Sequence, residues 1–266
     1  GAGGPWGGAG VAGARAGGPA AAPIDREPVD SVAAEFHLVD MTDYPAVVEA
    51  LVGTEVLIHL AAITGPGLVA DHVVHDHNVT SSDHALRAAA EVGVRRVCQA
   101  SSVNAIGGRF SREARYDYFP VDEEHPAYPE DPYSLSKWVA EHQAAAISRR
   151  FGMPIASLRL HGIVETRADA EAWNGAMPEE ALARQLWGYT LRAEAARACL
   201  LAVTADFEGH EAFYVVAPDT MAETPSPELR ERWYPDVPLR EALSDGAGFF
   251  DGRKAAEMLE WEHPRG

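Results

Sequence analysis

The chain has 266 residues, 47% of them apolar and 23% charged, the balance of a globular protein with room for a substantial core. Its formal charge is −18, from 40 acidic against 22 basic residues, which would repel nucleic acid and anionic membranes, so neither is an expected partner. No apolar run is long enough to span a membrane and no signal-peptide pattern opens the chain, so a soluble, cytoplasmic protein is expected.

Residues 1–24 are almost entirely Gly, Ala and Pro. Within them Gly1, Gly4 and Gly7 form a G-x-x-G-x-x-G pattern, which would let backbone amides approach a pyrophosphate at a helix N-terminus. Asp25 follows Gly7 by 18 residues, close to the spacing at which an acid holds the adenosine ribose hydroxyls of a dinucleotide. The strand that should precede such glycines is missing from the sequence, and a disordered low-complexity leader is the alternative reading.

From Glu35 the pattern becomes regular. Phe36 to Asp40 reads as a strand, Tyr44 to Leu51 as a short helix, and Val56 to Ala62 as a strand covered on both faces. A helix over about 70–92, a strand over 94–100, a helix over 133–151 and a strand over 155–159 follow. This alternation predicts an α/β fold, a doubly wound parallel sheet of the Rossmann kind. Beyond Arg159 the rhythm breaks: Arg167 to Pro178 reads as a polar loop, Arg192 to Val203 as a helix, Ala212 to Val216 as a strand, and the rest as short helices punctuated by Pro and Gly. Residues 1–160 are thus expected to form a dinucleotide-binding domain, and 161–266 a small C-terminal substrate lobe interleaved with the last sheet elements.

The chemistry concentrates in Asp131-Pro132-Tyr133-Ser134-Leu135-Ser136-Lys137. Four residues are slightly more than one helical turn, so Tyr133 and Lys137 would share a helix face. A cation there is expected to draw the phenol pKa toward neutrality, so that the oxygen can trade protons with an alcohol. The chain has only two lysines, Lys137 and Lys254, so the pairing is not expected by chance. Upstream, the strand ending at Ala100 delivers Ser101-Ser102-Val103-Asn104-Ala105-Ile106-Gly107 to the sheet edge where open α/β sheets bind ligands. Ser102 could there hydrogen-bond the oxygen undergoing oxidation. The segment 116–124, between Ser102 and Tyr133, reads either as a substrate-facing loop or as plain surface. Cys98 and Cys199 are expected to be buried free thiols. His72, His75 and His77 lack a third ligand at fixed spacing, and no metal site is expected.

Taken together, these motifs resemble the extended branch of the short-chain dehydrogenase/reductase superfamily, the NAD-dependent epimerase/dehydratase family. The resemblance also rests on Asp40-Met41 near the expected adenine, Leu60-Ala61-Ala62 after a strand, Asn78-Val79, Leu158-Arg159, and Phe250 to Ala255 with Leu259-Glu260-Trp261. It implies a catalytic triad of Ser102, Tyr133 and Lys137. It implies NAD as cofactor, with Asp25 favouring NAD over NADP, held by Gly1, Gly4, Gly7, Asp25, Asp40, Met41, Leu60, Ala61, Ala62, Asn78, Tyr133 and Lys137. Ser102, Asn104 and His161 become candidate substrate contacts, a carbohydrate the expected substrate, and a homodimer built from the helices near 70–92 and 133–151 the expected assembly. The compact chain and the Ser-Ser-x-x-x-Ile-Gly arrangement look most like sugar and uronate dehydrogenases, although Val103 stands where uronate dehydrogenases carry a substrate-binding Asn. The expected reaction is hydride transfer from a sugar hydroxyl to NAD. The alternatives are a nucleotide-sugar epimerase or dehydratase with retained NAD, and an NAD-binding sensor protein without turnover.

Overall fold

A computed structural model describes residues 11–14, 22–27 and 36–265. Along the chain come β1 (Val11–Ala14), β2 (Ala22–Asp25), β3 (His37–Leu38), α1 (Tyr44–Leu51), β4 (Val56–His59), α2 (Asp71–Val92), β5 (Arg96–Ser102) and α3 (Pro132–Phe151). They are followed by β6 (Ile155–Leu160), β7 (Ile163–Val164), α4 (Arg167–Ala176), α5 (Glu179–Ala183), β8 (Thr190–Leu191), α6 (Arg192–Thr204), β9 (His210–Val215), α7 (Ser226–Trp233) and α8 (Arg253–Leu259). Among the described residues seven strands form one sheet in the order β3-β2-β1-β4-β5-β6-β9, and β7 pairs with β8 separately.

Side-chain alternation along the strands divides the core. On one face Leu57, Val97 and Ile155 pack with Leu51, Leu86 and Ile147 of α1, α2 and α3. On the other, Cys98, Ala156, Leu158 and Phe213 pack with Cys199 of α6 and Leu259 of α8. Both cysteines are buried and free, as expected. Helices on both faces are what a mostly parallel sheet requires.

Two features depart from the sequence-based expectation. The pairs β4–β5, β5–β6, β6–β9 and β2–β3 are parallel, but β1 runs antiparallel to both β2 and β4. It follows the glycines in sequence rather than preceding them, and Gly1, Gly4 and Gly7 lie outside the described residues. Arg167 to Pro178, read as a loop, is largely the helix α4. Thr166 and Asp169 close a reciprocal capping box there; only Ala170 is fully buried, with Trp173 and Met177 half-buried on the same side, so the helix has a clear start signal and a short apolar stripe.

A third core joins the lobe to the sheet edge: Tyr116, Phe119 and Val121 pack with Trp187, Tyr189 and Phe249. The segment 116–124 is therefore lobe core more than surface or substrate loop. It is held by isolated pairings of Phe119 with Leu239 and of Val121 with Phe250. The lobe is tied to the sheet directly, since β9 from the C-terminal part pairs with β6 and Tyr214 N donates to the Glu123 carboxylate at 2.8 Å.

Candidate active site

α3 begins abruptly because Asp131 accepts from Tyr133 N at 3.0 Å and from Ser134 N at 2.9 Å, while Pro132 occupies the first turn, where no amide donor is needed. This cap puts Tyr133 in the first turn and Lys137 in the second, both buried. Lys137 Nζ donates to the Ala100 carbonyl at 2.7 Å and lies 5.9 Å from the Tyr133 ring centroid. The expected shared face is present.

β5 ends at Ser102, which starts a short 3-10 turn over Val103–Ile106. Ser102 Oγ accepts from Asn104 N at 3.1 Å and from Asn104 Nδ2 at 3.4 Å, which leaves its own O–H to donate elsewhere. Asn104 Oδ1 accepts from Arg109 N at 3.2 Å, so this side chain braces the turn. Gly107 and Gly108 continue it with φ of +94° and +116°. A Cβ on Gly107 would meet the Tyr128 carbonyl oxygen at 2.8 Å, and one on Gly108 the Tyr116 hydroxyl at 2.8 Å, so only glycine fits here.

The electrostatics differ from the simple expectation. Burial raises the Tyr133 pKa above its ordinary value, while the neighbouring Ser102 hydroxyl works against this. Burial also lowers Lys137, to about 8, against an opposing pull from Glu141. Lys137 does not draw the phenol down because its ammonium is directed to a backbone carbonyl and both groups are buried. Each is pushed toward its neutral form.

Beneath the pair runs a buried polar layer. Gln99 Nε2 donates to the Ala140 carbonyl and to Ser157 Oγ, and Ser82 donates to Gln99 Oε1. One row further, Arg159 forms a two-point pair with Glu141 at 3.0 and 2.9 Å, and Ser101 donates to Glu141 at 2.5 Å. Burial opposes both charges, but the partners win: Glu141 is lowered mainly by Arg159, and Arg159 is raised by Tyr214 and Glu141. A cavity of about 10 Å³, roughly the room one water needs, lies between Lys137, His59, Ala61, Ala62, Asn78 and Ser136. Among the described residues His59 Nδ1 has no hydrogen-bond partner, and burial with the nearby Lys137 lowers its pKa to about 3.

The other candidates divide by position. Asp25 ends β2 at the carboxyl edge of the parallel strands and accepts from Glu27 N. Asp40 accepts from the Thr42 amide and hydroxyl, which lowers its pKa, while Met41 is core, its carbonyl accepting from His84. Asn78 accepts from Ile63 N and donates to Ile63 O and Ser136 Oγ, tying the segment after Leu60, Ala61 and Ala62 to α3. His161 is buried with both ring nitrogens engaged, Nε2 donating to the Gln185 carbonyl and Nδ1 accepting from Gly162 N. Its geometry is that of a wall. Among the described residues no group of three His, Cys, Asp or Glu could hold a metal. The groove of about 620 Å³ between Pro218, Phe250 and Trp261 contains none of Ser102, Tyr133 or Lys137.

Three residues without a sequence signal also stand at this edge. The Phe110 ring meets Tyr133 edge-on at 5.9 Å, Arg109 lies over Phe110, and Trp173 of α4 packs over Gly162, just past β6. Arg109 and Phe110 are neighbours in sequence, but Trp173 comes from a separate segment, so no local spacing could have joined all three.

A carboxylate at the edge of β2, with a hydroxyl, a phenol and an ammonium gathered at the edge of β5, on a doubly wound sheet, is a donor set that could hold a dinucleotide. As a donor set, Asp25 suits one ribose of a dinucleotide and Tyr133 with Lys137 the other. The chain belongs to the NAD-dependent epimerase/dehydratase family, whose family model matches residues 8–171. It is 32% identical over 123 residues to a putative UDP-glucose 4-epimerase of Methanocaldococcus jannaschii, covering 46% of this chain and 38% of that one. It is 27% identical over 165 residues to an NAD-dependent glucose-6-phosphate dehydrogenase of Haloferax volcanii, covering 57% of this chain and 63% of that one. Both matches span less than two thirds of the relative. In fold it is similar to MoeE5 in complex with UDP-glucose and NAD, with a TM-score of 0.64 at 19% identity over 91% of this chain and 85% of that one.

Proposed function

We propose that the chain is an NAD-dependent oxidoreductase that takes a hydride from a hydroxyl-bearing carbon of a sugar or sugar derivative and a proton from that hydroxyl. The observation carrying this reading is the convergence of Ser102, Tyr133 and Lys137 in one buried cluster at the edge of β5. NAD, when bound, supplies the hydride acceptor. Ser102 donates its free O–H to the substrate oxygen, and Tyr133 accepts the proton that the hydroxyl gives up. Burial disfavours the phenolate this step needs, and Lys137, whose ammonium lies 5.9 Å from the Tyr133 ring, offsets that cost once it turns from the Ala100 carbonyl toward the ribose hydroxyls. Asp25 holds the other ribose and disfavours a phosphate there. In this reading residues 1–160 bind the dinucleotide and 161–266 cover the substrate.

The similarity to a putative epimerase favours a second reading, in which the hydride returns to the same sugar. Stoichiometric NADH release identifies the dehydrogenase, whereas product without net NADH identifies the epimerase. For either reaction, Tyr133→Phe is expected to lower turnover by roughly 10²- to 10⁴-fold, with the thermal midpoint little changed. Near-normal turnover in this variant would remove Tyr133 as the base, and the proposal with it.

A further inference from the structure

Arg109 is the one arginine withdrawn from solvent, among the described residues, whose guanidinium has no hydrogen-bond or carboxylate partner. Every other buried or half-buried arginine there donates to a carboxylate or a carbonyl, as Arg87 does to Asp83, Arg159 to Glu141 and Arg184 to the Ser111 carbonyl. In a chain with 40 acidic residues, a half-buried cation left without one is informative. Burial alone lowers its pKa, and no anion offsets the cost. The charge is kept out of water with nothing from the protein to balance it, a cost that a bound anion would offset.

Its setting is built. The guanidinium carbon lies 5.3 Å from the Phe110 ring centroid and 5.5 Å from that of Trp173, so two aromatic rings hold the plane while the N–H edge remains free for a two-point partner. Phe110 contacts both Arg109 and Tyr133, 5.3 Å from the guanidinium carbon of one and 5.9 Å from the ring of the other. Arg109 and Tyr133 are therefore no further apart than those two steps end to end, which a pyranose carrying an exocyclic oxyanion can bridge. Trp173 itself packs against Gly162, where any Cβ would meet the indole at 2.2 Å, so the clamp is anchored to the segment after β6. The backbone of Arg109 is fixed through Asn104, whose amide also touches Ser102.

From this geometry we infer that Arg109 is the anchor for an oxyanion, a carboxylate or a phosphate, on the sugar whose hydroxyl faces Ser102 and Tyr133. The inference rests on the proposed reaction for the position of the sugar, and it assigns substrate class: acidic sugars over neutral ones. Planar N–H pairs of guanidinium suit either oxyanion, and the two are separated by the test.

The test compares the full chain with Arg109→Met and Arg109→Lys, using glucuronate, glucose 6-phosphate and neutral glucose with NAD. Binding of glucuronate and of inorganic phosphate is measured alongside by calorimetry, which needs no turnover. Arg109→Met is expected to lose roughly 10- to 100-fold in kcat/KM for the acidic sugar, mostly in KM, and to lose the calorimetric signal for the matching anion, with glucose turnover and NAD affinity unchanged. Arg109→Lys restores part of the loss. Selective loss with glucuronate assigns a carboxylate, and with glucose 6-phosphate a phosphate. Equal loss on acidic and neutral sugars, a loss of NAD affinity instead, or anion binding that is absent from the unaltered chain or survives in Arg109→Met overturns the inference. If anion binding requires Arg109 while no sugar is oxidised or epimerised, the proposed reaction fails and the anion site stands.

Discussion

At Lys137 burial and charge pull in opposite directions, and this has a measurable consequence. Its folded-state pKa of about 8 lies below the ordinary 10.5, so between those values the unfolded chain binds more protons than the folded one. Stability attributable to this group therefore rises with pH from about 8 to about 10.5, and below pH 8 the penalty for burying the charge is present in full. Lys137→Met is expected to stabilise the fold by about 2 kcal/mol at pH 7, after allowing for the hydrogen bond to the Ala100 carbonyl, and to lose that advantage by pH 10. Urea unfolding of both proteins at the two pH values checks it, and a pH-independent difference would contradict the burial argument. Single residues were legible where the chemistry is local: Ser102, Tyr133 and Lys137 follow from spacing within two short segments. Arg109 was not, because what distinguishes it is a partner it lacks, and only the folded chain shows which arginines have partners.

At the level of elements, α3 is bolted to the sheet through Arg159 of β6 and Glu141, whose side chains are only 7% and 6% exposed. Removing one partner leaves the other charge buried alone. Arg159→Met is expected to cost about 3–5 kcal/mol, whereas Arg159→Met combined with Glu141→Leu should recover most of that loss. A double-mutant cycle from urea unfolding measures this, and additive losses would mean the pair is not coupled. The layer matters because α3 also carries Tyr133 and Lys137. Element boundaries were readable where burial is regular: α1 spans Tyr44–Leu51, as its pattern predicts. They failed at α4, where the apolar stripe is short, Ala170, Trp173 and Met177, and the cap Thr166 with Asp169 was the clearer signal. They also failed at β1, whose reversed direction depends on neighbours rather than on its own four residues.

For the whole molecule, −18 charges at neutral pH repel one another across the surface, and added salt screens that repulsion. The thermal midpoint is expected to rise by several degrees between about 0.1 and 1 M KCl. A flat or falling curve would show that self-repulsion does not limit stability. The sheet and its order of helices were legible because both faces of the strands are covered, which leaves continuous apolar runs. The packing beside the sheet edge was not, because that core is assembled from residues far apart, such as Phe119, Trp187 and Phe249, with no period to read.

That assembly has a consequence for the order in which the protein can be made. The strand that pairs with β6 spans His210–Val215, and the pairings that hold the segment between Ser102 and Tyr133 come from Leu239 and Phe250. A nascent chain released only to Leu160 already contains Ser102, Tyr133 and Lys137 but none of these supports. Vectorial synthesis thus delivers the reactive groups before their scaffold, so the site closes only after Phe250 has also left the ribosome, roughly five to twenty seconds after Leu160 at ordinary elongation rates.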